Sequence, residues 1–132
     1  MREISLMTER QTQVLDITEQ VRAAAEDADG AAAVLVYVPH TTAGVTINEH
    51  ADPAVARDLE RALERIVGEG WGWEHIEEGE ENAPSHVRAM LAGPQVLIPL
   101  RDGRLGLGTW QGVFFCEFDG PRQRTVFVTP LR

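Results

Sequence analysis

Three stretches of this chain bring residue types capable of chemistry to positions that read as loops: HTTAGVTINEHADP from His40, HIEEGEENAPSH from His75 and LGTWQGVFFCEFDGPR from Leu107. His40 follows the strand-ending Pro39, where its imidazole can ligate a metal, act as acid or base, or only bond to backbone. His75 and His86 flank a loop carrying Glu74, Glu77, Glu78, Glu80 and Glu81, of which Glu78, just before Gly79, is the carboxylate to single out. No local HExxH or CxxC spacing is present, so a metal site requires histidines from separate loops to converge. Converging neutral imidazoles suit Zn or another transition metal, whereas Mg prefers oxygen ligands.

The carboxylates divide by context. Glu49 at a strand end could serve as base or ligand and Asn48 could orient a substrate, although turn chemistry accounts for both. Asp52 before Pro53 has the form of a helix N-cap followed by a preset first turn. Glu117 is the exposed-or-buried problem of the chain. It lies among Phe115, Cys116 and Phe118, and an unpaired buried carboxylate is costly, so it must reach water, a partner chain or a cation. If 109–119 is one regular strand, Glu117 shares a face with Thr109, Gln111, Val113 and Phe115. Its alternative is an edge strand with the polar face in solvent. Arg122 and Arg124 alternate on the last strand and could bind a phosphate or pair with Glu117.

Composition narrows the partners. The chain has 132 residues and a formal charge of -9, which opposes binding to nucleic-acid phosphates, and no dense Arg run offsets it. All 12 basic residues are Arg, which excludes Schiff-base chemistry and a lysine phosphate clamp. The single cysteine, Cys116, sits in an apolar run and reads as a small hydrophobe. The N-terminal segment lacks the apolar core of a signal peptide and no stretch is long enough to span a bilayer, so a cytoplasmic location and no membrane partner are expected.

The elements that must position these residues form one domain over 1–132. Strands are expected over 2–8 and 11–16, then a helix from Asp16 or Thr18 to about Ala28 that stops at Gly30. The VLVYV run over 33–38 predicts a central strand covered on both faces. A strand over 44–49 leads to the helix that Asp52 starts, whose apolar stripe is Val55, Leu59, Ala62 or Leu63, and Ile66. A loop over 68–82 precedes a short helix from Pro84 to Leu91. Strands over 95–100, 105–118 and 123–129 follow, with turns at Asp102-Gly103 and at Asp119-Gly120-Pro121. This order predicts an α+β fold, a mixed and mainly antiparallel sheet with helices on one face.

HTTAGVTINE, the spaced ADP, the His-x-x-Glu-Gly loop ending in His, and LGTWQG followed by Glu and DGPRxR resemble the YjbQ-like family, also called the secondary thiamine-phosphate synthase family, over Leu35 to Val128. The resemblance implies a homotrimer with a site near the subunit boundary. It also implies an activity, the joining of hydroxymethylpyrimidine diphosphate to thiazole phosphate with release of diphosphate. On this pattern His40, His75 and His86 are the expected metal ligands, Glu49, Asp52, Glu78 and Glu117 the catalytic groups, and Asn48, Gln111 and Arg122 the substrate contacts. His50 and Trp73 depart from it, at positions more often Asn and Tyr. The resulting expectation is a metal-assisted enzyme on a small phosphorylated substrate, with Zn or Mg stabilising an attacking or leaving oxygen. Its alternatives are a metal-dependent hydrolase of a small molecule and a non-catalytic trimeric ligand-binding protein.

Overall fold

The apolar run of the third strand is central, as its sequence requires, but the expected cover on both faces is not found: Val34 and Val36 are fully buried, whereas Leu35 is half-buried and Tyr37 exposed. In the computed structural model, which describes residues 1–76 and 81–132, the strands β1 (Arg2–Met7), β2 (Gln13–Asp16), β3 (Ala33–Tyr37), β4 (Ala43–Glu49), β5 (Gln95–Arg101), β6 (Arg104–Leu105), β7 (Gln111–Glu117) and β8 (Gln123–Leu131) join three helices. The helices are α1 (Thr18–Ala24), α2 (Pro53–Ile66) and α3 (Ala83–Ala92). The fold is α+β, and every described strand pair is antiparallel. The strands divide between two sheets, of order β1-β8-β3-β5-β6 and β2-β7-β4.

The two sheets face each other across the main core. Val34 and Val36 of β3, Val126 and Val128 of β8 and Ile98 of β5 meet Val45 of β4 and Val113 and Phe115 of β7, and Ile17 and Val21 bring the α1 segment into the same cluster. Behind the smaller sheet lies a second core, in which Phe114, Cys116 and Phe118 pack with Ala89 of α3 and with Leu59 and Leu63 of α2. β7 therefore has apolar layers on both faces.

This corrects two sequence-based expectations. The continuous strand expected over 105–118 is two elements in different sheets, because Gly106 and Gly108 lie in a connection that turns the chain between them. The half-wet alternation expected along 109–119 is also absent, since all of β7 from Gly112 to Glu117 is buried. The turn at Asp102-Gly103 is found as expected: φ is 54° at Asp102 and 75° at Gly103, the pair of positive values that a two-residue hairpin demands. Asp119-Gly120-Pro121, by contrast, carries the chain from one sheet to the other instead of closing a hairpin.

Helices α2 and α3 are fixed to the smaller sheet by polar contacts as well as by the second core. Asp52 caps α2 by accepting from the Ala54 N–H at 2.9 Å. Glu60, buried on α2, accepts from the Val14 N–H at 2.7 Å and from both terminal nitrogens of Arg10 at 3.0 Å. That carboxylate satisfies a backbone donor of the edge strand β2. At the other end of α2 the buried Arg88 of α3 donates to the Val67 and Leu63 carbonyls at 2.6 and 3.3 Å, so a cation sits where the helix leaves acceptors unpaired. The close approach of α3 to β4 depends on Gly44, where an added Cβ would lie 2.6 Å from the Gly93 oxygen.

Among the described residues no helix is long and apolar enough to cross a membrane. Arg88→Met should cost about 2–3 kcal/mol, because charge-assisted hydrogen bonds to two buried carbonyls are lost together. Urea unfolding followed by far-UV circular dichroism measures it, and a change under about 0.5 kcal/mol would be the value of an ordinary surface site.

Candidate functional site

The candidate residues lie at the two ends of the smaller sheet. β4 begins beside Glu117 at Ala43 and ends beside Gln111 at Glu49. A strand of that length spans roughly 20 Å. Within one chain, Asn48, Glu49, Gln111 and Asp52 thus belong to one end and Glu117, His40, His75, His86 and Arg122 to the other. At the first end the Asn48, Gln111 and Asp52 side chains are locally committed. Asn48 Oδ1 accepts from the Glu49 N–H at 2.8 Å, Gln111 Oε1 from the Gly108 N–H at 2.8 Å, and Asp52 is the α2 cap. Glu78 lies outside the described residues.

Glu117 resolves its problem by finding a cation inside the chain. It is fully buried, and its carboxylate accepts from Thr8 Oγ1 at 2.7 Å, from the Asp119 N–H at 3.0 Å, from Arg124 Nε at 2.8 Å and from Arg124 Nη2. Arg124, itself 3% exposed, also donates to Thr42 Oγ1 at 2.8 Å and to the Thr42 carbonyl at 3.3 Å. Burial pushes the Glu117 carboxyl up, but the hydrogen bonds from Arg124, Thr8 and the Asp119 N–H outweigh it and hold the group below its ordinary 4.5. A carboxylate with its acceptor sites filled this way is a structural anion, which argues against the catalytic role expected for Glu117.

His40 stands beside this pair. Its Nε2 accepts from the Thr125 N–H of β8 at 3.0 Å, a bond that needs the neutral ring. Burial first, and the Arg124 charge second, hold the imidazole below its ordinary 6.5. With Nε2 spent on backbone, that nitrogen of His40 is not free to ligate a metal. Among the described residues no group of three His, Cys, Asp or Glu side chains is arranged to hold a metal ion, which corrects the expected His40, His75 and His86 triad.

His75 and His86 do come together, with ring centroids 5.2 Å apart and planes at 66°. They line a cavity of about 600 Å³ with Thr41, Asn82, Asp119 and Arg122, all polar side chains. His86 Nδ1 lies 3.0 Å from the Thr41 carbonyl, which can only accept, so Nδ1 carries the hydrogen and Nε2 is left with its lone pair in the neutral ring. Asn82 Nδ2 donates to Asp119 Oδ2 at 2.9 Å, while Asn82 Oδ1 is buried with no partner among the described residues. Arg122 is pinned to the same Asp119, with Nη2 on Oδ2 at 3.0 Å and Nε on the carbonyl at 2.9 Å. Thr8, Thr42, Asn82 and Asp119 were not singled out in the sequence; Thr and Asn become site residues only through partners far away in the chain.

Cys116 is inert. It is 2% exposed, and burial pushes its thiol up to about 12, so no thiolate forms at neutral pH.

Comparison with known proteins gives the family. Residues 2–132 match a family model described as UPF0047 protein YjbQ-like, and the chain belongs to that family. It is 41% identical to a UPF0047 protein of Methanocaldococcus jannaschii over 93% of this chain and 88% of that one, and 40% identical to the UPF0047 protein YugU of Bacillus subtilis over 95% and 94%. Among solved structures, an uncharacterized conserved protein of the YjbQ/UPF0047 family from Clostridium acetobutylicum superposes with a TM-score of 0.92 at 42% identity, covering 99% of this chain and 100% of the other. These descriptions carry no thiamine-phosphate synthase activity and no metal-assisted reaction on a phosphorylated substrate, so the activity expected from the resemblance is not supported and is set aside.

The ionic network has a pH signature. A carboxyl held below its ordinary value stabilises the fold above about pH 4.5, and that contribution is lost as pH falls through the folded-state value. His40, held below 6.5, adds a loss that begins as pH falls past 6.5, where the unfolded chain takes up the proton first. Glu117→Gln should cost about 3–5 kcal/mol at pH 7, because it leaves Arg124 buried without its anion, and should flatten the acid limb below pH 4.5. Urea midpoints measured from pH 7 to pH 3 check both.

Proposed function

We propose that the cleft between His75 and His86 binds a divalent transition metal, with Zn²⁺ the best match, and through it a small anionic ligand. The observation that carries this reading is the pairing of the rings. Two imidazoles bonded at 2.0–2.1 Å to one tetrahedral ion put their ring centres roughly 5 Å apart, and the separation here is 5.2 Å. The Thr41 carbonyl supports it, since a hydrogen bond to the far ring nitrogen is how ligating histidines are usually oriented. Asn82 Oδ1, which has no partner among the described residues, gives the cleft a further buried acceptor. Imidazole donors favour Zn²⁺ over Mg²⁺. Zn²⁺ so held would retain open positions for water or an anion, with the Arg122 guanidinium on the cavity wall as a second positive charge.

The outer face of the larger sheet supports a homo-oligomer, and the motif resemblance favours a trimer. Met7, Tyr37, Leu97 and Leu131 are 39–64% exposed on strands whose opposite face is core. An apolar sheet face of this kind is a common site of subunit contact.

Equilibrium dialysis against Zn²⁺ should give one ion per chain, and His86→Ala should weaken it by about 100-fold while leaving the melting temperature of the metal-free protein unchanged within error. His40→Ala should leave Zn²⁺ affinity unaltered. Absence of uptake by the parent, or equal uptake by His86→Ala, contradicts the reading. Light scattering tests the assembly: the parent should have three times the chain mass, and Leu97→Glu with Tyr37→Glu should give monomers.

A further inference from the structure

A different histidine, remote from the cleft, is oriented by a carboxylate. His50 follows β4, and its Nδ1 lies 3.2 Å from Asp16 Oδ2. Asp16 is fixed in turn by Thr18, whose N–H and Oγ1–H both donate to Asp16 Oδ1, at 3.0 and 2.5 Å. Thr18 is 2% exposed, and its hydroxyl oxygen accepts from the Val113 N–H at 2.9 Å. A continuous chain of bonds thus runs from the backbone of β7 through a hydroxyl and a carboxylate to an imidazole. Asp16 is held below its ordinary carboxyl value: burial raises it, but the bonds from Thr18 and His50 outweigh that effect.

The ring is also held by shape. The His50 N–H donates to the Trp110 carbonyl at 2.9 Å, and the ring lies directly on Gly112, where an added Cβ would come within 2.6 Å of His50 Cγ and Nδ1. A carboxylate on Nδ1 selects the tautomer with the hydrogen on Nδ1 and leaves the Nε2 lone pair available. His50, Asp16 and Asp52 line a cavity of about 410 Å³ whose apolar surfaces come from Val14, Ala56 and Phe114. The charges of that wall are largely spoken for, since Glu60 holds Arg10 and Asp52 caps α2. Arg57 lines the same cavity and forms no ion pair among the described residues.

We infer that His50, oriented by Asp16 and Thr18, is a metal-independent general base acting in this cavity on a small anionic ester whose charge is met by Arg57. A water hydrogen-bonded to Nε2 gives its proton to the ring as its oxygen bonds to the ester carbonyl carbon. The C–O bond to the alcohol then breaks, and the imidazolium returns that proton to the departing oxygen. The products are a carboxylic acid and an alcohol, and the ring is neutral again. Asp16 steadies the transient cation and Thr18 positions Asp16.

The test uses the full chain in EDTA, with 4-nitrophenyl hydrogen succinate as the anionic probe and 4-nitrophenyl acetate as its neutral counterpart. The parent should hydrolyse the succinate ester with the higher kcat/KM, and His50→Gln should reduce that value by about 100-fold while retaining the parent circular dichroism. Asp16→Asn should lower kcat at an unchanged KM, and Arg57→Gln should raise KM for the succinate ester alone. Nitrogen-15 spectra of histidine-labelled protein should show Nδ1 protonated and Nε2 unprotonated in the neutral His50 ring. No hydrolysis by the parent above buffer, a parent-like rate in His50→Gln, or the opposite tautomer overturns the inference. A rate removed by His86→Ala would belong to the other cleft and also overturns it, whereas failure of Zn²⁺ binding there leaves these outcomes untouched.

Discussion

The ion pair between Glu117 and Arg124 is the contact on which the arrangement of both sheets turns. Glu117 ends β7 in the smaller sheet and Arg124 lies in β8 of the larger one, so their bonds tie the two layers together at one edge of the core. Taking two charges out of water costs several kcal/mol each, and the return comes only when the remaining donors and acceptors are satisfied. Here Thr8, Thr42 and the Asp119 N–H complete the shell. The pair specifies a register that an apolar contact would leave free to slide, since an offset strand would strand a charge in the core.

The cleft inherits its geometry from that pair. Thr42 is held by Arg124, which fixes the loop between β3 and β4, and the preceding Thr41 carbonyl sets the His86 ring. On the other side the Asp119 N–H is bound to Glu117, and the Asp119 side chain holds both Asn82 and Arg122. Two walls of the cavity therefore hang from one buried carboxylate. Loops anchored to a rigid core in this way are how small domains keep polar side chains in place in open water.

What could be read from the sequence was local. The Asp52-Pro53 cap, the Asp102-Gly103 hairpin and the apolar β3 run each depend on neighbours within a few residues, and each is found. β7 departs from the period-of-two rule, which assumes one wet face, because two apolar layers enclose this strand. The alternatives for Glu117 included pairing with an Arg of the last strand, and its partner is Arg124; the other, Arg122, is taken by Asp119. His40 illustrates the limit. Its ring is bound by the Thr125 N–H, and a backbone donor across the fold leaves no trace in residue types. The split of the candidate residues between two ends of one sheet is likewise a property of strand pairing, which spacing along the chain does not encode.

The Glu117–Arg124 interaction organises both sheets, and a double-mutant cycle measures that directly. Urea unfolding of the parent, Glu117→Gln, Arg124→Met and the double variant isolates the coupling between the two side chains. The prediction is a coupling of about 2 kcal/mol or more, with the double variant more stable than the sum of the single losses allows. A coupling within about 0.5 kcal/mol of additivity would mean that the two charges act independently, and would contradict the account.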